Sequence, residues 1–185
     1  MKQIEISLNT KSLKKAIKEL KHYRDSLSAK NELFVNRLLD VGIKVAYQHA
    51  DNFGKYIGFE KEIEGGGTRC VGIFKGINKE PVISEWDYYG ERKTAEVNML
   101  AMAEFGSGWL SEVLFHISGV GPGTFPGQTH ALDEQGWWWK EWDPAHKGEW
   151  VHSYGLKPSH PMYYADMEMT QQIEKIAKEV FSSDI

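Results

Sequence analysis

The spacing of apolar residues changes within the first fifty positions. Residues 3–8 alternate between apolar and polar side chains, which predicts a short half-buried strand. After Ser12, a capping residue, leucine and isoleucine recur at helical spacing as far as Leu27, and Asn31 caps a second stripe that runs to Gln48. We therefore predict two amphipathic helices. The five lysines of the first helix are interpreted as a solvated surface, with a docking surface for an acidic partner as the alternative.

β-Branched and aromatic residues dominate the next part of the chain, where we predict three strands. These strands are residues 55–63, 69–75 and 82–88. Glycine-containing turns at 64–68 and 76–81 separate them, so an antiparallel meander is the simplest topology. Helical spacing over 95–105 then predicts a short helix that ends at Gly106, a residue suited to a helix terminus.

Periodicity is lost between residues 109 and 155, a stretch rich in glycine and tryptophan. We interpret it as an ordered insertion that contains a hairpin at 136–153. Helical spacing returns over 161–181, and the proline at its start suits the first turn of a helix. The predicted fold class is α+β. One domain, with its core in residues 1–108 and 156–182, packs N-terminal helices and a C-terminal helix on a small antiparallel sheet.

The composition is typical of a soluble domain, with 41% apolar and 26% charged residues in a chain of 185. A net charge of -4 and a pI of about 6.0 lack the positive field of a nucleic-acid binder, so direct nucleic-acid recognition is not expected. Cys70 is the only cysteine, which excludes an intrachain disulfide and suits a reducing compartment. No segment has the roughly 18 apolar residues of a membrane span, and a signal-type apolar region is missing, so we expect a cytoplasmic protein.

Side chains that can bind metals cluster late in the chain. They are His130, Asp133, Glu134, His146, Glu149 and His152. The last two histidines stand six positions apart across a glycine, a spacing that matches no structural or catalytic zinc site. We therefore expect no metal and no other cofactor.

A second acidic set accompanies the third predicted strand and contains Glu85, Asp87, Glu91 and Lys93. Acids followed by a lysine occur in metal-dependent phosphodiesterases. The acids here alternate with aromatic residues, as on a sheet with one wet face, and the negative net charge disfavours a nucleic-acid substrate. We predict no catalytic site there.

Trp137, Trp138, Trp139 and Trp142 form the densest aromatic group of the chain. Tryptophan dominates the buried centres of protein interfaces, and it also stacks on sugars, in which case two nearby acids would serve as a glycosidase pair. The candidate acids are Glu134, Glu141, Asp143 and Glu149. Three consecutive tryptophans on a strand point to both sides, so at least one packs inward. We favour an interface, and the alternative is a cell-wall glycan-binding or glycan-hydrolysing module.

Two short segments place glycine or proline beside apolar anchors, where backbone geometry is fixed. The first is Glu104-Phe105-Gly106-Ser107-Gly108. The second runs from His160 and contains Pro161, Met162 and Ala165. In these segments and in the order of its elements, the chain resembles the tail-component family of long-tailed bacteriophages. In these small head-to-tail joining and tail-completion proteins, a Glu-Phe-Gly-Thr segment precedes a Pro-Phe-Leu-x-Pro-Ala segment.

The resemblance implies a non-enzymatic phage or prophage structural protein that assembles as a ring, with a hexamer as the expected stoichiometry. It implies assembly in the host cytoplasm and a place in the virion neck or upper tail. The implied partners are further copies of the chain, phage connector or adaptor proteins, and tail-tube or tail-terminator proteins. The chain departs from the family pattern at Ser107, in place of threonine, at Tyr164, in place of proline, and in the length of residues 109–155.

Glu104 stands at the end of a predicted helix, where the helix dipole disfavours a negative charge. It should therefore have a specific partner. The partner is either a backbone donor of its own loop or a basic residue across an interface, and we hypothesise that the nearby backbone amides of Gly106-Ser107-Gly108 supply it.

Overall fold

The computed structural model describes residues 10–66, 69–110, 128–140 and 148–182, and in these residues the fold is α+β, as predicted. The described helices are α1 (Thr10–His49), α2 (Met99–Phe105) and α3 (Pro161–Ser182), with short 3-10 helices at Asp51–Lys55 and Thr129–Leu132. The described strands are β1 (Ile57–Gly66), β2 (Arg69–Asn78), β3 (Val82–Tyr88), β4 (Glu91–Val97), β5 (Ser107–Gly108), β6 (Trp137–Lys140), β7 (Trp150–Ser153) and β8 (Gly155–Leu156). The strand predicted at residues 3–8 lies outside the described residues.

A single helix of 40 residues, α1, replaces the two helices that the sequence predicted. Asn31, predicted as the cap of the second helix, lies inside α1. The reason is that Leu27 and Phe34 stand seven positions apart, so the apolar stripe of the first stretch continues in phase into the second. No glycine or proline interrupts the chain between them. The helix therefore continues for about 60 Å at 1.5 Å per residue.

α3 packs antiparallel against the C-terminal half of α1. Near the end of α1, the rings of His49 and Tyr164 stack with their centroids 4.2 Å apart. At the other end of α3, the ring of Phe181 lies 5.9 Å from the ring of Phe34, and the Phe181 carbonyl accepts from Lys30 Nζ at 3.5 Å. The N-terminal half of α1 consequently extends beyond the end of α3.

β1 and β2 form an antiparallel hairpin that packs one side on α1. The ring of Phe59 meets that of Tyr47 edge-on at 5.0 Å, and Lys61 Nζ donates to Asp40 Oδ1 at 2.5 Å. The antiparallel pairing of β1 with β2 confirms the predicted hairpin, although residues 64–66 belong to β1 and residues 67 and 68 lie outside the described residues. Because side chains alternate along a strand, the neighbours of Phe59 and Lys61 project from the opposite side of the hairpin.

The predicted meander is wrong, because β3 pairs with β4 and not with β2. β4 was missed, since residues 91–94 are all polar. The signal for this second hairpin was its turn. Tyr89 and Gly90, the two residues between the strands, both have positive φ angles, +51° and +85°, as a two-residue type I′ turn requires.

The predicted helix over 95–105 is shorter than expected, because α2 begins only at Met99. The Asn98 side chain accepts from the amide of Ala101 at 3.0 Å and so caps the first turn. Its end at Gly106 is confirmed, since the Gly106 amide donates to the Met102 carbonyl at 2.9 Å. The residues that the sequence assigned to the first turn of the helix complete β4 instead.

The last two predicted elements are confirmed. β6 and β7 pair as the hairpin expected within 136–153, and α3 starts at Pro161 as expected. The core lies where the end of α1, the start of β1, α2 and the start of α3 meet. Its buried residues are Ala46, Ala50, Phe53, Ile57, Phe59, Val97, Met99, Met102, Ala103 and Ala165. None of the described helices combines the length and the apolarity that crossing a bilayer requires.

Replacing Ile57 tests the position of this core. Its side chain is 0% exposed, so we expect Ile57→Ala to lower the free energy of unfolding by about 3 kcal/mol through the cavity it leaves. Ile83→Ala is the matched control, since Ile83 is 52% exposed, and it should cost less than about 1 kcal/mol. Urea denaturation followed by circular dichroism measures both values. Equal losses for the two variants would contradict the placement of the core.

Candidate functional site

The two segments that the sequence singled out meet in space, and Glu104 is the residue that joins them. The backbone amides of Met162 and Tyr163 donate to its two carboxylate oxygens at N–O distances of 2.8 and 3.0 Å. These amides belong to the first turn of α3, where no carbonyl of the helix itself can accept from them. A carboxylate there is also favoured by the helix dipole. Glu104 therefore caps a helix that begins 57 positions later in the chain.

The hypothesis that Glu104 binds the amides of its own Gly106-Ser107-Gly108 segment is wrong. Sequence reasoning placed Glu104 correctly at a helix end with a specific partner, but the partner is the start of α3. The signal was present at Pro161, because a proline in the first helical turn marks amides that need an acceptor from elsewhere in the chain.

A second set of hydrogen bonds joins the same two segments in the opposite direction. The Ala103 carbonyl, in the last turn of α2, accepts from the amides of Ser159 and His160 at 2.8 and 3.1 Å and from Ser159 Oγ at 3.2 Å. Carbonyls in the last turn of a helix lack partners within the helix. α2 and α3 thus satisfy each other's orphaned backbone groups. We call this contact, together with the β5–β8 pairing below, the junction.

The glycine after Glu104-Phe105 lets the chain turn into β5, which pairs with β8. Gly106 has a φ of +76°, and a Cβ atom there would stand 2.5 Å from the Leu156 carbonyl oxygen. Ser107 is buried, and its Oγ accepts from the Leu156 amide at 3.2 Å. The predicted motif residues Gly106 and Ser107 consequently fix how the end of α2 meets the strand that precedes α3.

Gly108 receives the ring of Trp137. A Cβ atom at Gly108 would stand 2.9 Å from that ring, and Gly108 has a φ of +64°. Trp137 is half-buried, with its ring 6.1 Å from that of His130. The expectation that one of the three consecutive tryptophans packs inward is therefore confirmed, and the interface role predicted for Trp137 stays a prediction.

The remaining motif residues serve the same packing. Pro161 and Ala165 are buried, and Met162 is partly buried against the core. Phe105 is half-buried at the end of α2. The structure thus brings the two predicted segments together as an internal contact of the fold.

Trp138 lies on the outer side of the β6–β7 hairpin. Trp138 pairs with His152 and Trp150 with Lys140, so Trp138, His152 and Trp150 project from the same side. The His152 ring lies 4.6 Å from the rings of both Trp138 and Tyr154, and Trp138 and Trp150 are 63% and 62% exposed. We call Trp138, Trp150, His152 and Tyr154 the aromatic face. The side chain of Trp139 and the whole of Trp142 lie outside the described residues.

The acidic and imidazole candidates do not form a site within the described residues. No group of three His, Cys, Asp or Glu side chains there stands close enough together to hold a metal ion. Asp133 Oδ1 accepts from the Gln135 amide at 2.9 Å, and His130 Nε2 lies 3.1 Å from Gln128 Nε2. His146, Glu141 and Asp143 fall outside the described residues.

The acids of the second hairpin pair with neighbouring bases. Glu85 forms an ion pair with Arg92, and Glu91 accepts from Lys93 Nζ at 2.6 Å. All four lie on exposed positions of β3 and β4. The side chain of Asp87 is outside the described residues.

Comparison with known proteins adds no relative, since no family model, no curated protein and no solved structure matches the chain. The resemblance to phage tail components therefore remains a prediction from the two segments and the order of elements.

Removing the Glu104 carboxylate tests the junction. We expect Glu104→Ala to lower the free energy of unfolding by about 2 kcal/mol, because two first-turn amides of α3 lose a charged acceptor. Glu104→Gln keeps one acceptor oxygen and should lose about half as much. Glu174→Ala is the control, since the described contact of Glu174 is an exposed pair with Lys178, and it should cost less than about 0.5 kcal/mol. Equal effects at positions 104 and 174 in chemical denaturation would rule out the capping role.

Adding a methyl group at Gly106 tests the close approach to β8. Gly90 has a similar φ, +85°, but no atom within 4 Å of a built Cβ, so Gly90→Ala carries the backbone strain alone, about 1 kcal/mol. Gly106→Ala adds the overlap with the Leu156 carbonyl and, at a ψ of -170°, a backbone conformation that only glycine adopts freely, so we expect it to cost at least about 1 kcal/mol more. Thermal and urea unfolding of the two variants give the comparison. Indistinguishable stabilities would mean that β5 and β8 do not approach as described.

Proposed function

We propose that the protein is a non-enzymatic structural component of a long-tailed phage or prophage, acting in tail completion or head-to-tail joining. In this proposal it assembles as a ring, with a hexamer expected, in the neck or upper tail. Its partners are its own copies and the adjoining connector and tail proteins.

The observation that carries this proposal is the aromatic face. Two tryptophans, each more than half exposed, lie on one side of a short hairpin beside His152 and Tyr154. Exposed large aromatic side chains grouped together are typical of surfaces that are covered by a partner, and tryptophan is enriched at the centres of such contacts. A ring subunit needs surfaces of this kind for its neighbours.

The junction supports the same proposal, because it accounts for the motif residues without any chemistry. Both carboxylate oxygens of Glu104 accept backbone hydrogen bonds, and Ser107 Oγ accepts another. These groups hold α2, β8 and α3 in place. A rigid frame of this kind keeps an assembly surface pre-organised, which lowers the entropic cost of binding.

The test is the oligomeric state of the purified chain. We expect light scattering after size exclusion to give a multiple of the 21.1 kDa chain mass, and negative-stain electron microscopy to give closed rings. The double variant Trp138→Ala with Trp150→Ala should lose the rings and keep its helical circular dichroism. Trp109→Ala is the control, because Trp109 is similarly exposed but lies outside the hairpin. A chain that stays monomeric at every concentration, or rings unaffected by the double variant, would contradict the proposal.

The aromatic face also favours the second candidate, a module that binds or cleaves cell-wall glycan. Sugar rings stack on exposed tryptophans, and Trp138 and Trp150 offer two on one side of the hairpin. A peptidoglycan pull-down separates the two functions. Retention of the wild-type chain as a monomer, lost in the double variant, would favour the glycan module over the ring.

A further inference from the structure

The N-terminal half of α1 carries an apolar stripe that is partly exposed. Leu13, Ile17, Leu20 and Tyr23 are 43%, 53%, 53% and 68% exposed and lie on one side of the helix. We call these four residues the docking stripe. Ala16, on the same side, is buried and is left out of it.

The docking stripe continues the seam that packs against α3. Leu27 and Leu20 stand seven and fourteen positions before Phe34, whose ring contacts Phe181 of α3. The last described contacts of α3 are with Phe34 and Lys30, so α3 covers the stripe in one half of α1 and leaves it partly exposed in the other. A helix of this kind is normally covered along its whole apolar side.

Charge distinguishes this half of α1 from the remainder of the chain. Residues 10–29 hold six basic and two acidic side chains, a net charge of +4, whereas the whole chain carries -4. The remainder therefore carries -8. Lys14 and Lys21, seven positions apart, flank the docking stripe. Two docking stripes facing each other would bring these lysines together, so pairing of like with like is disfavoured.

The outer side of the β1–β2 hairpin has the complementary character. Glu60, Glu62 and Glu64 lie there in register with Lys75, Ile73 and Val71, opposite the side that packs on α1. We call these six residues the acidic face. It carries three acids against one base, and Val71 and Ile73 are not fully buried.

The negative field of the acidic face is evident at its one lysine. The hydrogen bond from Lys75 to Glu62 raises the pKa of the lysine, and the charges of Glu62, Glu64 and Glu60 raise it further. Among the described residues, Glu60 and Glu64 form no ion pair with a base, and they act on Lys75 through their charge. Negative charge is thus left over on this side of the hairpin.

We propose that the docking stripe of one copy binds the acidic face of a neighbouring copy. The hairpin of each subunit would then lie between two helices, its own α1 on one side and the neighbour's α1 on the other. The two surfaces are different, so the contact is head-to-tail, and head-to-tail contacts close into rings when the rotation between subunits permits. The inference rests on the proposed ring and names a second contact between its subunits, in addition to the aromatic face.

Charge reversal on each side tests the contact. Lys14→Glu with Lys21→Glu reverses the charges that flank the docking stripe, and Glu60→Lys with Glu64→Lys reverses the acidic face while keeping the pair of Glu62 and Lys75. Each double variant should weaken self-association at least about tenfold in sedimentation velocity at low salt. Both keep the buried residues, and circular dichroism checks that the helices are retained.

Recombination of the two reversals gives the decisive result. A chain that carries all four substitutions should self-associate again, and so should an equimolar mixture of the two double variants, because opposite charges then face each other. The control is Lys11→Glu with Lys18→Glu, which makes the same change of net charge on the side of α1 away from the stripe. It should change self-association by less than about threefold, because only the long-range effect of the altered net charge remains.

The outcomes separate this inference from the ring proposal. Rings that persist in both double variants would overturn the contact and leave the ring standing. Equal weakening by the control pair, or no recovery in the four-fold variant, would also overturn it. A wild-type chain that remains monomeric would overturn the contact together with the ring.

Discussion

The fold depends most on one interaction, the Glu104 carboxylate at the start of α3. Glu104 ends α2, and the amides it binds open α3, so a single side chain fixes two helices that are far apart in sequence. The Ala103 carbonyl, in the last turn of α2, accepts from the amides of Ser159 and His160, just before α3. Each helix leaves backbone groups at its ends without a partner inside the helix. Here the first amides of α3 and a last-turn carbonyl of α2 both find partners across this contact. α3 in turn covers half of α1.

This arrangement separates the residues that hold the fold from those available for binding. The motif residues of the two segments are turned inward, where they accept backbone hydrogen bonds or pack in the core. Two groups of exposed apolar side chains lie elsewhere, on the aromatic face and on the docking stripe. In the proposed assembly subunit, recognition therefore falls to surfaces that the sequence motifs do not mark, and the motifs supply the rigid frame.

Local signals allowed much of the fold to be predicted from the sequence. Pro161 gave the start of α3, Gly106 the end of α2, and the glycine-rich turn the β1–β2 hairpin. Asn31 was misleading because capping residues also occur inside helices, and only the phase from Leu27 to Phe34 reveals the continuous helix. The pairing of Glu104 with α3 joins positions 58 and 59 residues apart, and spacing along the chain carries no information about such contacts.

The central claim, that Glu104 anchors the start of α3, is tested most directly by hydrogen exchange of the Met162 and Tyr163 amides. First-turn amides normally exchange rapidly because the helix offers them no acceptor. In the wild-type chain we expect these two amides to be protected nearly as well as amides in the middle of α3, and we expect Glu104→Ala to lose that protection. Rapid exchange of both amides in the wild-type chain would contradict it.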